Sequence, residues 1–322
     1  MPDTENGQND GSIDLEYELE EKPPLLESLL LGIQHVSVMI VPSTAVAFIV
    51  GGAVGAGTGD IAYLVQMVLL FSGLATIVQT YGMGPVGAKL PIVMGTSFTF
   101  VGAASAIGGQ YGLGVVFTSL ALTGFLVEGL IGWQFDRIRP YFPPLVTGLI
   151  VVIIGLYLIP VGMDYSAGGV GAATYGSMLN IGLAFLVLAI SVLFNLFLKG
   201  VWRLLAVFIG IVTGYVIAAA LGLVDFSPIS EAAWFAIPNP GKFGFGVEPV
   251  AIVTFGFLFL VSAMETVGDM AGITAAEGRN PTSEEYTGGI FTDGFMSSIG
   301  AVFGSFPVTS FSQNVGIVNF TG

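Results

Sequence analysis

Runs of about twenty apolar residues recur along the chain, and short glycine-rich connections separate them. A helix of that length crosses the ~30 Å hydrocarbon core of a bilayer, because each residue rises by about 1.5 Å. The pattern therefore predicts an all-α polytopic membrane protein. The predicted spans are residues 27–50, 61–81, 90–109, 115–133, 142–162, 179–198, 201–222, 249–272 and 287–305, with a tenth span beginning at 308–322.

The tenth span departs from the pattern of a lipid-facing helix, since polar residues follow Pro307 at short intervals. These polar residues are Thr309, Ser310, Ser312, Gln313, Asn314, Asn319 and Thr321. An unpaired polar group in hydrocarbon is costly, so such a segment is expected only where protein or a watery cavity surrounds it. Residues 307–322 are therefore where we expect a solute to bind.

The third span has a similar arrangement. Pro91 precedes Ser97 by six residues, as Pro307 precedes Gln313. Paired interrupted spans are typical of inverted-repeat transporters with a site near the midplane, although such a spacing also arises by chance. The pairing of span 3 with span 10 implies a repeat of seven spans. The β-branched, aromatic and small residues at 96–100 favour an extended backbone, so we expect two short strands that meet from opposite sides.

Composition agrees with a membrane protein, since 54% of residues are hydrophobic, 9% are charged and the mean hydropathy is +0.88. The formal charge of −14 is concentrated, because nine of the 22 acidic residues lie within the first 27 positions. Residues 1–24 are therefore predicted to be a disordered acidic tail. The chain has one histidine and no cysteine, so we expect no metal and no cofactor. Neither a P-loop nor an HExxH motif is present.

Basic residues predict the orientation, because seven of the eight fall on one side of the predicted spans. They are Lys22, Lys89, Arg137, Arg139, Lys199, Arg203 and Arg279. The positive-inside rule then places the N-terminus in the cytoplasm and Lys242 outside. The first apolar run begins near Leu25 and is of full length, so no cleaved signal peptide is expected. The outside loop 223–248 is either a lid or, more simply, a connector.

Four ionisable residues inside spans are functional candidates, since a charge there costs roughly 2.5–3.5 kcal/mol. Glu265 and Asp269 lie one turn apart on span 8 and share a face, where two carboxylates resist ionising together. Such a pair suits proton transfer, and the alternative is a helix-end pair facing cytoplasmic water near Arg279. Asp293 lies in span 9 and needs a partner. His35 in span 1 either donates to a carboxylate or a backbone carbonyl, or contacts the ligand.

Glu128 in span 4 precedes Arg137 and Arg139 by two to three turns. We expect its side chain to reach toward the interface, so it is not included in the predicted site.

Residues 313–322, with the sequence QNVGIVNFTG, are similar to the signature of the nucleobase-ascorbate transporters, the xanthine/uracil permease family. Further segments of residues 25–322 resemble other landmarks of that family, in the same order along the chain. They are Gln34-His35, the GTSF sequence at 95–98, the FPPLVTG sequence at 142–148, and Glu265-x-x-Gly268-Asp269.

The resemblance implies a fold of fourteen spans in two inverted seven-span repeats. A core domain (residues 25–134 and 249–322) would move against a gate domain (135–222), with 223–248 as an extracellular loop. The chain ends early in span 10, so about ten spans are present and the sequence is interpreted as partial. Family members are homodimers of the plasma membrane that take up nucleobases, the microbial ones usually with a proton. They are transporters rather than enzymes, and no nucleic acid partner is expected.

The resemblance also implies roles for the candidate residues. Glu265 would accept hydrogen bonds from ring N–H groups of the base, and Gln313 would pair with the opposite edge. Phe98 would stack on the base through its ring and offer its backbone N–H, and Ser97 would contact the base beside it. The remaining polar network, with an acidic member taking the proton, would be Asn314, Asp269, Asp293 and His35.

Substrate choice in the family varies with two positions. Gln313 and Asp269 resemble the purine transporters, whereas uracil transporters tend to have Glu and His there. Xanthine or uric acid is therefore favoured over uracil. An anion transporter of related fold would need a cation near spans 3 and 10, and Lys89 at the start of span 3 is the only candidate. A membrane scaffold without transport activity would not need these polar residues at membrane depth.

Overall fold

The computed structural model describes residues 21–134, 172–199, 206–224 and 237–321, together with residues 137, 149, 152–153, 156, 159–160, 162–169 and 226. Residues 1–20 of the acidic tail and most of the predicted span 142–162 lie outside these ranges. The helices that the argument uses are α1 (Leu25–Ala53), α2 (Thr58–Tyr81), α3 (Val101–Tyr111), α4 (Leu113–Trp133), α5 (Met178–Phe197), α6 (Ala206–Ala220), α7 (Pro249–Ala276), α8 (Ser283–Val302) and α9 (Ser312–Thr321). The strands are β1 (Met94–Thr96) and β2 (Val308–Ser310).

Long apolar helices dominate the described part of the chain. Five of them, α1, α2, α4, α5 and α7, have the length and composition to cross a membrane. Their bounds agree with the predicted spans to within a few residues. Many of their large apolar side chains are exposed, and α5 has no buried residue, as expected of surfaces that contact lipid.

The third and tenth spans are interrupted, as the sequence predicts. In each, a three-residue strand is followed by a helix, and β1 pairs with β2 in antiparallel register. The register joins Met94 to Ser310 and Thr96 to Val308. The two backbones therefore satisfy each other's polar groups inside the bundle, where no water is available to do so.

The extended region of span 3 differs from the prediction for residues 96–100. The strand ends at Thr96, and residues Phe98–Phe100 form a 3-10 turn that leads into α3. Ser97 causes the change, because its hydroxyl oxygen accepts a hydrogen bond from the Thr99 N–H at 3.3 Å and caps the turn. Local capping thus overrides the β propensity of the side chains that follow.

Helices α1 to α4 pack with α7 and α8 around the paired strands. Their buried interior includes the aromatic rings of Phe100, Phe255 and Phe259. Helices α5 and α6 pack against each other at Gly210, where an added Cβ would lie 2.2 Å from Ser191 Oγ. The small-residue spacing in α6 therefore permits close helix contact.

Helix α4 contains a π-helical turn over Gly124–Glu128. At this turn α4 closely approaches α8, since a Cβ on Gly294 would lie 2.5 Å from the Gly124 carbonyl oxygen. The turn directs Glu128 inward, and its side chain is 0% exposed. The expectation that Glu128 reaches toward the interface is therefore wrong, because the wider turn changes the face on which the residue lies.

The start of α8 is fixed by side chains from the α7–α8 connection. Thr282 and Glu285 form a capping box, and Arg279 donates two hydrogen bonds to the Glu285 carboxylate at 2.8 and 2.9 Å. Partial burial acts to raise the pKa of Glu285, but the bonds from Arg279 and from the Thr282 N–H hold that pKa below its ordinary value. Arg279 is therefore engaged at the helix start.

Candidate functional site

Helix α7 places the carboxylate of Glu265 at the end of β1. Glu265 Oε1 accepts a hydrogen bond from Thr99 Oγ1 at 2.9 Å, and Oε2 accepts one from Ser97 Oγ at 3.3 Å. Phe98 lies between these two donors in sequence and packs, partly buried, against the apolar cluster around Phe100. The structure thus brings together the predicted residues Glu265, Ser97 and Phe98.

Asp269 lies one turn further along α7, and its carboxylate contacts the other strand, β2. Its Oδ2 accepts a hydrogen bond from Ser310 Oγ at 2.6 Å, and its side chain is buried. The two carboxylates on this face of α7 therefore contact span 3 and span 10 respectively. Arg279 instead pairs with Glu277 and Glu285, so the structure does not have the alternative arrangement of a carboxylate pair facing water near Arg279.

Asp293 on α8 is fully buried and joins several elements. It accepts hydrogen bonds from the Thr266 hydroxyl on α7 and, at 3.5 Å, from Gln79 Nε2 on α2. The Thr266 hydroxyl also lies 3.1 Å from Thr309 Oγ1 in β2. Gln79 in turn accepts a hydrogen bond from the Ala88 N–H at 3.1 Å. A continuous polar network thus connects α2, α7, α8 and β2.

Gln313 and Asn314, in the first turn of α9, differ in their exposure. Gln313 is exposed, whereas Asn314 is buried against α1. Asn314 Nδ2 lies 2.9 Å from His35 Nδ1 and donates to the His35 carbonyl oxygen at 3.1 Å. His35 therefore pairs with α9, and of the alternatives given above for His35, a bond to a carboxylate is absent among the hydrogen bonds of the described residues. The predicted residues form two groups, one around Glu265 and one around His35.

Five hydrogen-bonding residues of the site were not among the predicted site residues. They are Thr99, Ser310, Thr266, Thr309 and Gln79. Gln79 carries an amide inside an apolar span, so the criterion applied to ionisable residues would have identified it had amides been included. A single hydroxyl in a glycine-rich span carries no comparable signal, because such residues also bond to their own helix, as Thr44 does.

Lys242 is a further basic residue, and its ion pair lies away from this site. Lys242 binds Asp60 at 2.6 Å and lies 4.2 Å from the ring centre of Tyr63, at the start of α2. Among the described residues, the groups that interact with Glu265 and Asp269 are hydroxyls and other acids. The site therefore suits a ligand that donates hydrogen bonds to carboxylates better than it suits an inorganic anion.

The architecture defines a fold of polytopic membrane protein that a solved structure shares. The fold matches the transmembrane domain of a cyanobacterium bicarbonate transporter, BicA, with a TM-score of 0.60 over 94% of this chain and 78% of that chain, at 15% sequence identity. The likeness confirms the predicted fold class, a mainly helical polytopic membrane protein with short paired strands. At this identity it shows the fold alone.

Sequence comparison specifies the family. Residues 26–322 match the model of a permease family, the xanthine/uracil permeases. The xanthine permease of Bacillus subtilis is 38% identical over 299 residues, which cover 92% of this chain and 68% of that protein. The uric acid permease PucK of Bacillus subtilis is 35% identical over 304 residues, 94% of this chain and 70% of that protein. The chain belongs to the xanthine/uracil permease family, and the protein is a permease rather than an enzyme.

Proposed function

We propose that the protein is a plasma-membrane permease that takes up a purine nucleobase, xanthine or uric acid, together with a proton. The observation that carries the proposal is the carboxylate of Glu265, which faces the end of β1 beside Ser97 and Thr99. The names of the Bacillus subtilis relatives, a xanthine permease and a uric acid permease, support this choice of substrate. Gln313 and Asp269 agree with it, since they resemble the purine members.

In the proposed complex the base bridges the two interrupted spans. Glu265 accepts hydrogen bonds from ring N–H groups, and the exposed amide of Gln313 supplies one donor and one acceptor to the opposite edge. Phe98 stacks on the ring, and Ser97 donates beside it. Helix α9 begins just after β2, and α3 follows β1 after the 3-10 turn, so the partial positive charge of these two N-termini favours an electron-rich base.

Transport is proposed to follow alternating access. The core domain, with α1 to α4 and α7 to α9, moves against the gate domain, which includes α5 and α6. Asn314, Asp269, Asp293 and His35 form the surrounding network, and an acidic member of it takes the coupled proton. The N-terminus faces the cytoplasm, and two copies assemble as a homodimer.

The role of Glu265 is tested with a Glu265→Ala variant of the full-length protein in proteoliposomes. We expect accumulation of labelled xanthine to be abolished, because no other described carboxylate faces the end of β1. Glu284→Ala is the matched control, since Glu284 is an exposed acid at the start of α8, and it should transport at the normal rate. Normal accumulation by the Glu265 variant would contradict the assignment.

Substrate choice is tested by competition for bound xanthine. Xanthine and urate should displace the label from the purified protein, whereas uracil and sulfate should not. Displacement by uracil alone would favour a uracil permease of the same family. Displacement by sulfate alone would favour an anion transporter of related fold.

A further inference from the structure

Glu128 is a buried carboxyl group that the proposed substrate site does not use. Its side chain is 0% exposed, and among the residues that the structure describes neither of its carboxylate oxygens has a hydrogen-bond partner. An ionised carboxylate without partners inside protein is strongly disfavoured. The group must therefore be neutralised in this conformation, and a bound proton is the simplest means.

A buried hydroxyl group near Glu128 can form a hydrogen bond with the protonated carboxyl group. The Ser262 hydroxyl on α7 is also buried and also lacks a partner among the described residues. Ser262 is near enough to act on the carboxyl group, although the pair does not reach hydrogen-bond geometry here. A protonated carboxyl group could donate to such a hydroxyl after a small side-chain rotation.

Among the described residues, the charged groups that act electrostatically on Glu128 from neighbouring helices are two acids, Asp293 on α8 and Glu265 on α7. Their charge opposes a second negative charge at Glu128 and favours a proton there. Asp293 also belongs to the polar network that reaches β2 through Thr266 and Thr309. A change of charge at the substrate site therefore alters the electrostatic potential at Glu128 through Asp293.

The backbone at Glu128 is also unusual. The residue ends the π-helical turn of α4, and a Cβ on Gly294 would lie 2.9 Å from Glu128 Cβ. Turns of this kind are rare and concentrate at functional sites. The turn brings the carboxyl group against α8 where a regular helix would present another face.

From these observations we propose that Glu128 is a proton-binding site of the transport cycle, separate from the carboxylates that face the substrate. The proposal rests on the proposed function and names Glu128, in place of an acidic member of the network around Asp269 and Asp293, as the group that holds the coupled proton. One Glu128 oxygen takes up a proton from the external side before the substrate-loaded core moves inward, and it releases that proton to cytoplasmic water before the empty core returns. The Ser262 hydroxyl accepts a hydrogen bond from the protonated form and donates one to the carboxylate.

The test uses Glu128→Gln in the full-length protein, because glutamine keeps the shape and cannot exchange a proton. In proteoliposomes we expect xanthine counterflow at the normal rate but no accumulation above equilibrium under an imposed pH gradient. The exposed Glu284→Gln variant should retain both. Accumulation by Glu128→Gln to the unsubstituted level, or loss of counterflow in the folded variant, would overturn the proposal.

Two further measurements keep the test decisive. If Glu128→Gln does not fold, Ser262→Ala should retain counterflow and shift the dependence of accumulation on external pH, and an unchanged pH profile would overturn the proposal. Infrared spectra at neutral pH should show one protonated-carboxyl band that Glu128→Gln lacks, and identical spectra would overturn it. The infrared measurement needs no substrate, so failure of the unsubstituted protein to transport xanthine would count against the proposed function alone.

Discussion

At the scale of single residues, hydroxyl groups orient the carboxylates of this site. Glu265 is held by two donors on either side of Phe98, and Asp269 is held by Ser310. A carboxylate that is fixed in this way keeps its remaining lone pairs directed at a ligand, which reduces the entropy lost on binding. Thr99 is the closer donor to Glu265 and is therefore a positioning residue.

Replacing Thr99 with valine should weaken xanthine binding. The change removes one hydrogen bond to a carboxylate, and such bonds contribute about 1.5–3 kcal/mol, which corresponds to a loss of roughly tenfold or more in affinity. Equilibrium binding to the purified protein measures the effect, and Thr99→Ser should restore most of the affinity. Thr44→Val is the control, because the Thr44 hydroxyl bonds to the carbonyl of Val41 on its own helix. Equal affinities in Thr99→Val and the unsubstituted protein would exclude the positioning role.

Acidic residues show what the sequence predicts at this scale and what it does not. Glu265 and Asp269 were identified because two carboxylates at helical spacing in an apolar span have few explanations other than function. Glu128 was misplaced, because its distance from Arg137 suggested the interface and a π-helical turn has no sequence signal. The partner of His35 was also not predictable, since it lies on α9, far away in sequence.

At the scale of elements, the paired strands depend on close approach between spans. Gly95 lies in the middle of β1, opposite Thr309. A Cβ at Gly95 would lie 2.3 Å from the Phe311 ring and 2.6 Å from Ser43 Oγ. The Ser43 hydroxyl is also the acceptor for the Thr96 N–H at 3.4 Å, so α1 holds the strand on one side.

A Gly95→Ala substitution should therefore destabilise the protein. Overpacking of this kind costs about 1–3 kcal/mol, because the Phe311 ring or the strand must move. Thermal unfolding of the detergent-solubilised protein should occur at a lower temperature, with xanthine binding reduced in parallel. Gly73→Ala in α2 is the matched control, since nothing lies within 4 Å of the added atom. An unchanged unfolding temperature for Gly95→Ala would show that β1 is not tightly packed.

The existence of both strands was predictable, whereas their limits were not. Proline spacing and polar composition marked Pro91 and Pro307 as the starts of interrupted spans, and the pairing is confirmed. The region after Thr96 was predicted to be extended on side-chain propensity, but one hydroxyl at Ser97 was sufficient to start a helical turn. Capping contributes about 1 kcal/mol, which is as large as the whole range of β propensity, and that propensity depends strongly on context.

At the scale of the whole molecule, the described helices form two packing groups. Helices α1 to α4 pack with α7 and α8, whereas α5 and α6 pack chiefly on each other. The carboxylates and the paired strands all belong to the first group. Movement of one group against the other would therefore carry the site as a unit, without breaking its hydrogen bonds.

If a proton accompanies the substrate, accumulation should depend on the pH gradient across the membrane. Adding a proton ionophore to proteoliposomes with an acidic exterior should reduce accumulated xanthine to the equilibrium level. Exchange of labelled for unlabelled xanthine should continue, because it needs no net proton movement. The time course of labelled xanthine measures both, and a sodium gradient serves as the control. Unchanged uptake under the ionophore would indicate facilitated diffusion or sodium coupling.

The antiparallel pair of strands also constrains how the protein is made. β1 leaves the ribosome long before β2 is synthesised, so its N–H and C=O groups enter the membrane without their eventual partners. Until then span 3 must be sheltered by the insertion machinery, by water or by α1. Assembly of the core is consequently a late event in biosynthesis, and a chain that is released before residue 308 would expose β1 to quality control in the membrane.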